Sequence, residues 1–103
     1  VEKILKNKKI SAIFCADDTM AFGCIDFIKN KTNLKIPNQI EIIGYDDISM
    51  ANWKSYNLTT IRQPIRQMSK LVTQLINEYL QNPDFEPVNH LIQGRLIQRK
   101  TTK

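Results

Sequence analysis

The chain has 103 residues, of which 42% are hydrophobic and 24% are charged, and its formal net charge is +5. This length suffices for one small domain, the composition excludes an intrinsically disordered chain, and no apolar run approaches the roughly 20 residues that cross a bilayer. The lysines gather near the two ends and in one loop, without interleaved aromatic residues or a helix-turn-helix pattern, which favours a solvated surface over direct binding of nucleic acid.

The first half of the chain has the pattern of a strand, a helix and a second strand. Residues 1–9 alternate charged and apolar side chains, which indicates the end of a helix or a solvated approach to a strand, not a signal peptide. Residues 10–16 and 40–45 are short, almost wholly apolar runs, typical of buried parallel strands. Between them, helical spacing predicts a helix over residues 19–30, with Ala21, Ile25 and Ile28 on one face.

The second half continues with a short strand and a long helix. Residues 58–61 are predicted to form a strand, and Pro64 opens a helix that ends near residues 82–83. One face of this helix is apolar, and it carries Ile65, Met68, Val72, Leu75, Ile76 and Tyr79. Residues 88–99 alternate apolar and polar side chains, which predicts strand pieces with a bend at Gly94. The order of elements predicts an α/β fold built on a right-handed strand–helix–strand unit.

Residues that carry catalysis or bind metals are poorly represented. Cys15 and Cys24 lie in apolar runs without the spacing of a zinc site, so we interpret them as small buried hydrophobic residues in a reducing compartment. His90 is the single histidine, and neither a nucleophile elbow nor a phosphate-binding loop is present. We therefore expect no enzymatic activity, no metal and no cofactor, and we place a hydrolase-like enzyme behind the binding functions considered below.

Two pairs of carboxylates follow the predicted parallel strands. Asp17-Asp18 comes after the first strand and Asp46-Asp47 after the second. Ligands of open α/β sheets bind outside the carboxyl ends of the strands, so both pairs are expected at one crevice, where they suit a ligand rich in hydroxyl donors. Asp17 and Asp46 are the better ligand candidates, because Asp18 is explained by helix capping and Asp47 by turn initiation. A calcium site is the remaining alternative, although the spacing matches no calcium-binding loop.

Four segments of the chain carry a recognisable pattern, and they are Ile13-Phe-Cys-Ala-Asp-Asp-Thr-Met-Ala-Phe-Gly23, Ile43-Gly-Tyr-Asp-Asp-Ile48, Leu58-Thr-Thr-Ile-Arg-Gln-Pro64 and Arg95-Leu-Ile-Gln-Arg-Lys-Thr101. In their order and spacing these segments resemble the LacI/GalR (lactose/galactose repressor) family of transcriptional regulators. The resemblance covers essentially the whole chain. It implies an α/β, parallel-sheet periplasmic-binding-protein-like I fold of which only the C-terminal portion is present. The implied function is a cytoplasmic, non-enzymatic effector-sensing module that controls DNA binding allosterically.

The resemblance also implies roles for individual residues. Asp46 matches the family's effector-contacting aspartate, Asp17 stands where many members carry an effector-contacting asparagine, and Thr19 lies at a position that sometimes faces the pocket. Asp18 matches a nearly constant aspartate at the helix start. A homodimer interface is implied at one side of the first helix and in the loop after the second strand, at Phe22, Asp26, Met50 and Trp53.

The resemblance implies three parts of the chain and a set of partners. Residues 1–61 would be the strand–helix–strand portion of one lobe, residues 62–86 a crossover and a helix of the other lobe, and residues 87–103 the return strands. The expected partners are a sugar-like or nucleoside-like effector and a second copy of the chain, with DNA bound only through a missing N-terminal domain and no membrane contact. The alternative function is that of a periplasmic sugar-binding protein of a transport system.

Overall fold

The computed structural model describes residues 1–6, 10–82, 84–86 and 88–103. Its helices are α1 (Glu2–Leu5), α2 (Asp18–Lys31) and α3 (Ile65–Gln81), with a short 3-10 helix at Ser49–Asn52, and its strands are β1 (Ala12–Phe14), β2 (Glu41–Asp46), β3 (Thr59–Arg62) and β4 (Arg95–Ile97). The chain divides into a first unit, Val1–Arg62 with Leu96–Lys103, and a second unit, Gln63–Arg95.

The four strands form one sheet in the order β1-β2-β3-β4. The β1 and β2 strands are parallel, with Phe14 opposite Ile43, and β2 and β3 are also parallel, with Asp46 opposite Arg62. The carboxyl ends of these three strands therefore lie at the same edge of the sheet. This arrangement confirms the predicted α/β fold and its parallel strand–helix–strand unit.

The core of the first unit lies between α2 and the sheet. The predicted buried face of α2 is confirmed, because Ala21, Ile25 and Ile28 are almost completely buried. They belong to one apolar cluster with Ile40 and Ile42 of the second-strand region, and α2 packs on β2. Helical spacing on one side and a buried strand on the other thus produce the packing that the sequence pattern predicts.

The second unit contains α3 and the segment that follows it. No residue of α3 is buried, and its apolar face, with Phe85 and Val88, lines a groove of about 360 Å³ whose wall residues are Val72, Leu75, Ile76, Tyr79, Phe85 and Val88. The predicted helix is confirmed over Ile65–Gln81; Pro83, near its expected end, and Pro87 lie outside the described residues.

The prediction of strand pieces over residues 88–99 is wrong for most of that segment. Within its described residues a strand is present only at Arg95–Ile97, and Gly94 directly precedes it. A strand needs a hydrogen-bonded neighbour, and among the described residues of the second unit only Arg95 belongs to a strand. The alternating apolar side chains Val88 and Leu91 are accordingly exposed.

The N-terminal segment begins with the single turn α1, and residues 7–9 of the predicted approach to the first strand lie outside the described residues. The first strand is shorter than predicted, although the amide of Cys15 still donates a hydrogen bond to the carbonyl of Ile43 at 2.8 Å. Among the residues that the structure describes, no helix combines the length and the hydropathy required to span a membrane.

Candidate functional site

The helix-capping role that was predicted for Asp18 belongs instead to Asp17. Asp17 is the N-cap of α2: its backbone is extended, and its Oδ1 accepts a hydrogen bond from the amide of Met20 at 2.7 Å. Asp18 is the first residue of the helix, and only 1% of it is exposed. The assignment of capping to Asp18 is therefore wrong, because the helix begins one residue earlier than the prediction and the preceding aspartate supplies the cap.

Asp18 instead joins three parts of the first unit through its carboxylate. Its Oδ1 accepts a hydrogen bond from the hydroxyl of Thr60 at 2.5 Å, and its Oδ2 accepts one from the amide of Ile48 at 2.9 Å. The close approach depends on Gly44, since a Cβ added there would meet this carboxylate and lie 2.8 Å from Cδ2 of Leu58. The structural interpretation of Asp18 holds, but its basis is this buried network.

The second pair forms an unusual turn at the carboxyl end of β2. Asp46 has a φ of 115° and Asp47 a φ of 55°, which are left-handed values that favour glycine. The side chain of Asp47 is 3% exposed, and it accepts hydrogen bonds from Nε of Arg62 at 2.5 Å and from Nη2 of Arg99 at 2.6 Å. Asp47 therefore anchors the turn through ion pairs, a role that the prediction of simple turn initiation did not include.

Burial and the two arginines shift the pKa of Asp47 in opposite directions. Burial acts most strongly and by itself raises the pKa of this carboxyl. The hydrogen bonds and positive charges of Arg99 and Arg62 act in the opposite direction and together hold the pKa below its ordinary value. The carboxylate form of Asp47 is thus stabilised in the folded chain.

Arg99 is itself held in place by residues at the start of β3. Its Nη1 donates to the carbonyl of Leu58 at 2.7 Å, and its amide donates to Oγ1 of Thr59 at 2.8 Å. The buried hydroxyl of Thr101 donates to the carbonyl of Ile42 at 2.7 Å and accepts from the amide of Thr59 at 2.8 Å. These contacts fix the C-terminal segment against β2 and β3.

Sequence reasoning missed the participation of Thr60, Arg62 and Arg99. Asp46 lies opposite Arg62 in the parallel register, so the acidic pair after β2 comes beside the basic end of β3 once the strands align. The signal that finds Arg62 is this register, which requires the pairing of two strands and not a local motif. Arg99 reaches Asp47 from 52 residues away, and no local pattern indicates that contact.

The sheet edge brings the predicted effector-binding residues to one side of the first unit. Asp46 ends β2, while Asp17 and Thr19 lie at the start of α2, just beyond the end of the neighbouring strand β1. Thr19 is exposed, and Asp17 and Asp46 are partly exposed. Carboxylate oxygens at such an edge accept hydrogen bonds from a ligand that offers hydroxyl or amine hydrogens.

Within the described ranges, no group of three or more histidine, cysteine, aspartate or glutamate side chains could hold a metal ion. His90 is exposed in a segment without regular structure, so the prediction that it lies in a strand is wrong. Cys15 and Cys24 are buried free thiols, as predicted. Interaction between the two thiols lowers the pKa of Cys24 and, together with burial, raises the pKa of Cys15.

The predicted interface residues have different environments. Phe22 is 5% exposed, because Tyr56 of the same chain stacks on it with ring centroids 4.3 Å apart. The hydroxyl of Tyr56 donates to Oδ2 of Asp26 at 3.2 Å. Phe22 is thus covered within its own chain, and its assignment to a dimer interface stays a prediction. Trp53, by contrast, is 53% exposed, and Met50 is partly buried against the core.

Comparison with known proteins gives matches along nearly the whole chain. Residues 2–102 match the family described as "Periplasmic binding protein-like domain". The repressor PurR, described as an HTH-type transcriptional repressor, is 35% identical over 97 residues in Vibrio campbellii, a match that covers 94% of this chain and 29% of the relative. The Aliivibrio fischeri repressor of the same name is 35% identical over 104 residues and covers 98% and 31%. This chain thus spans about three-tenths of the length of these curated relatives.

Solved structures of transcriptional regulators are similar to this chain along nearly its whole length. A LacI family transcriptional regulator from Enterococcus faecalis with bound ribose is 33% identical, with a TM-score of 0.82, and the match covers 99% of this chain and 38% of that one. The lac repressor dimer bound to operator and an anti-inducer is 28% identical, with a TM-score of 0.81 and coverage of 97% and 35%. These relatives are described as repressors, and they do not favour the transport alternative.

Proposed function

Because this chain belongs to the periplasmic binding protein-like domain family, as found in LacI/GalR transcriptional regulators, we propose that it forms part of the effector-sensing module of such a regulator. The module binds a polyhydroxylated small molecule, and binding shifts the conformational equilibrium of a complete, cytoplasmic regulator. DNA is contacted by a helix-turn-helix part outside this sequence.

The observation that carries the proposal is the position of Asp46 and Asp17 at the ends of neighbouring parallel strands. The β1 and β2 strands pair directly, so residues that follow them share one edge of the sheet. Each aspartate supplies acceptor oxygens there, and the bound ribose in the Enterococcus faecalis relative supports a ligand with several hydroxyl groups. Thr19, which is exposed at the start of α2, adds a hydroxyl to the same edge.

The proposal is tested by ligand titration of the complete gene product. We expect one member of a panel of pentoses, hexoses and purine nucleosides to raise the melting temperature in proportion to its binding. Asp46→Asn is expected to weaken that binding at least about tenfold, because a buried donor of the ligand loses a charged acceptor. Glu78→Gln removes an exposed carboxylate of α3 and serves as the control. A ligand that binds the Asp46→Asn variant as tightly as the unmodified protein would remove Asp46 from the site.

We also propose that the regulator is a homodimer in which Trp53 is an anchor, with Met50 and Asp26 beside it. Support comes from the loop around Trp53, which α2 holds in place through the Phe22–Tyr56 stack and through the bond from Nζ of Lys29 to the carbonyl of Ser55 at 2.6 Å. An exposed tryptophan on a fixed loop loses little conformational entropy when a second surface covers it.

The dimer proposal is tested by light scattering after size-exclusion chromatography. Trp53→Glu is expected to shift the complete gene product from dimer to monomer at micromolar concentration, since it places a charge in an apolar contact. Leu91→Glu is the matched control, because Leu91 is fully exposed and also changes from apolar to acidic. Two variants with equal dimer content would refute the assignment of Trp53.

A further inference from the structure

The turn that carries Asp46 is built so that a second residue sets its conformation. We propose that Asp47, held by Arg99 and Arg62, is a positioning residue that keeps Asp46 in its left-handed backbone conformation and so fixes where the Asp46 carboxylate is presented. The functional meaning rests on the proposed effector contact of Asp46, whereas the conformational link between the two residues does not depend on any ligand.

The backbone of Asp46 needs such a constraint. A φ of 115° is rarely adopted by residues with a side chain, and it persists only where the surroundings determine it. On its N-terminal side Asp46 is fixed by the sheet, because Tyr45 lies opposite Ile61 and Asp46 opposite Arg62 in the β2–β3 ladder. The constraint on its C-terminal side must come from the residues that follow.

Two anchors act immediately after Asp46. The amide of Ile48 donates to the buried carboxylate of Asp18 at 2.9 Å, and the side chain of Asp47 accepts from Arg99 and Arg62. Asp47 adopts a φ of 55°, so two consecutive residues have left-handed backbones between the end of the ladder and the amide of Ile48. A change at Asp47 therefore alters the path of the chain at the residue that precedes it.

The two arginines contribute unequally. The side chain of Arg99 is 11% exposed, and it is also bonded to the carbonyl of Leu58, so its charge is poorly screened and its position is fixed. The side chain of Arg62 is 57% exposed, and solvent screens its pair with Asp47. Arg99 is thus the partner that determines the position of the Asp47 carboxylate, and Arg62 is the weaker one.

A purely structural ion pair makes a different prediction from a positioning residue. If Asp47 only stabilises the fold, its removal lowers the melting temperature by the same amount whatever residue stands at position 46. If Asp47 holds Asp46 in a strained conformation, its removal lets the backbone relax, and the advantage of a glycine at position 46 disappears. Glycine and alanine both lack the carboxylate, so the difference between Asp46→Gly and Asp46→Ala reports on the backbone alone.

The experiment measures the difference in melting temperature between Asp46→Gly and Asp46→Ala by thermal unfolding of the complete gene product. With Asp47 intact, Asp46→Gly is expected to melt about 4–8 °C above Asp46→Ala, because glycine adopts the left-handed conformation without strain. In the Asp47→Asn background we expect the difference to vanish or reverse, since glycine then brings only its entropic cost. Arg99→Gln is expected to act like Asp47→Asn, and Arg62→Gln is expected to leave most of the difference in place.

An equal difference in all backgrounds would overturn the proposal and leave Asp47 as an ordinary structural ion pair. Where Asp47→Asn fails to fold, the same comparison is made in Arg99→Lys, which keeps the charge but loses the second arm of the guanidinium, and the same criterion applies. No effector is used in these measurements. A negative ligand titration and a negative result here are therefore separate outcomes, the first against the proposed function and the second against the positioning role.

Discussion

Replacement of Asp18 by alanine is expected to destabilise the first unit more than any other removal of a carboxylate. Asp18 is 1% exposed, and its two oxygens satisfy the hydroxyl of Thr60, which is fully buried, and the amide of Ile48. Hydrogen bonds to charged groups contribute about 1.5–3 kcal/mol each. The alanine variant leaves both donors without their acceptor, although water can reach the partly buried amide, so we expect a loss of about 3–5 kcal/mol in the free energy of unfolding.

A double-mutant cycle separates this network from a general loss of packing. Thr60→Val removes the hydroxyl that Asp18 accepts from, so the penalty for an unpaired hydroxyl is absent from the double variant. The sum of the two single losses in the free energy of unfolding is therefore expected to exceed the loss in the double variant by about 1 kcal/mol or more. The assay is urea-induced unfolding followed by far-ultraviolet circular dichroism, with Glu78→Ala on α3 as an exposed acidic control. Additive losses, or a cost for Asp18→Ala below about 1 kcal/mol, would refute the reasoning.

Three further outcomes are expected in the same unfolding assay. Asp17→Ala removes the N-cap of α2 and is expected to cost about 1 kcal/mol, while Asp17→Asn keeps a side-chain acceptor and costs less than half of that. Gly44→Ala is expected to cost about 1–3 kcal/mol, because its Cβ would lie 2.8 Å from Leu58, whereas Gly23→Ala meets no atom within 4 Å and is expected to stabilise α2 by about 0.5–1 kcal/mol. The pKa of Asp47 is lowered in the folded chain, so its contribution to the free energy of unfolding is complete above its unfolded pKa of about 4 and is lost as the pH falls through the lower folded pKa. We therefore expect the free energy of unfolding of the Asp47→Asn variant to fall less steeply with decreasing pH in that range than that of the unmodified protein.

The elements that depend on local pattern were predicted closely from the sequence. The apolar spacing of Ala21, Ile25 and Ile28 and the cap before them place α2 within one residue of its observed bounds. The apolar run at 40–45 differs from β2 by one residue at each end, and Pro64 marks the start of α3. These signals are local because hydrogen bonding and burial in a helix or a buried strand repeat every few residues.

Contacts between distant residues decide the features that were not predicted. Asp17 and Asp18 are both good capping residues, and the choice between them is made by Ile48 and Thr60, which lie 30 and 42 residues away and draw the second carboxylate into the core. Phe22 lies on the side of α2 that carries charged residues, and it is buried by Tyr56 from the loop after the 3-10 helix. The local sequence pattern indicates neither contact, because each joins residues that are far apart in the sequence and meet only in the folded chain.

The capping role of Asp17 limits the kinds of effector that the proposed site can bind. One oxygen of Asp17 is occupied by the amide of Met20, and an aspartate offers acceptors where an asparagine at this position would also donate. With Asp46, the sheet edge is therefore rich in acceptors, and among the three predicted contact residues only the hydroxyl of Thr19 can donate. A ligand whose hydroxyl groups point at this edge satisfies both carboxylates. A sugar acid or a sugar phosphate brings further negative charge to the same place, so we expect such ligands to bind at least about tenfold more weakly than the neutral sugar of the same shape.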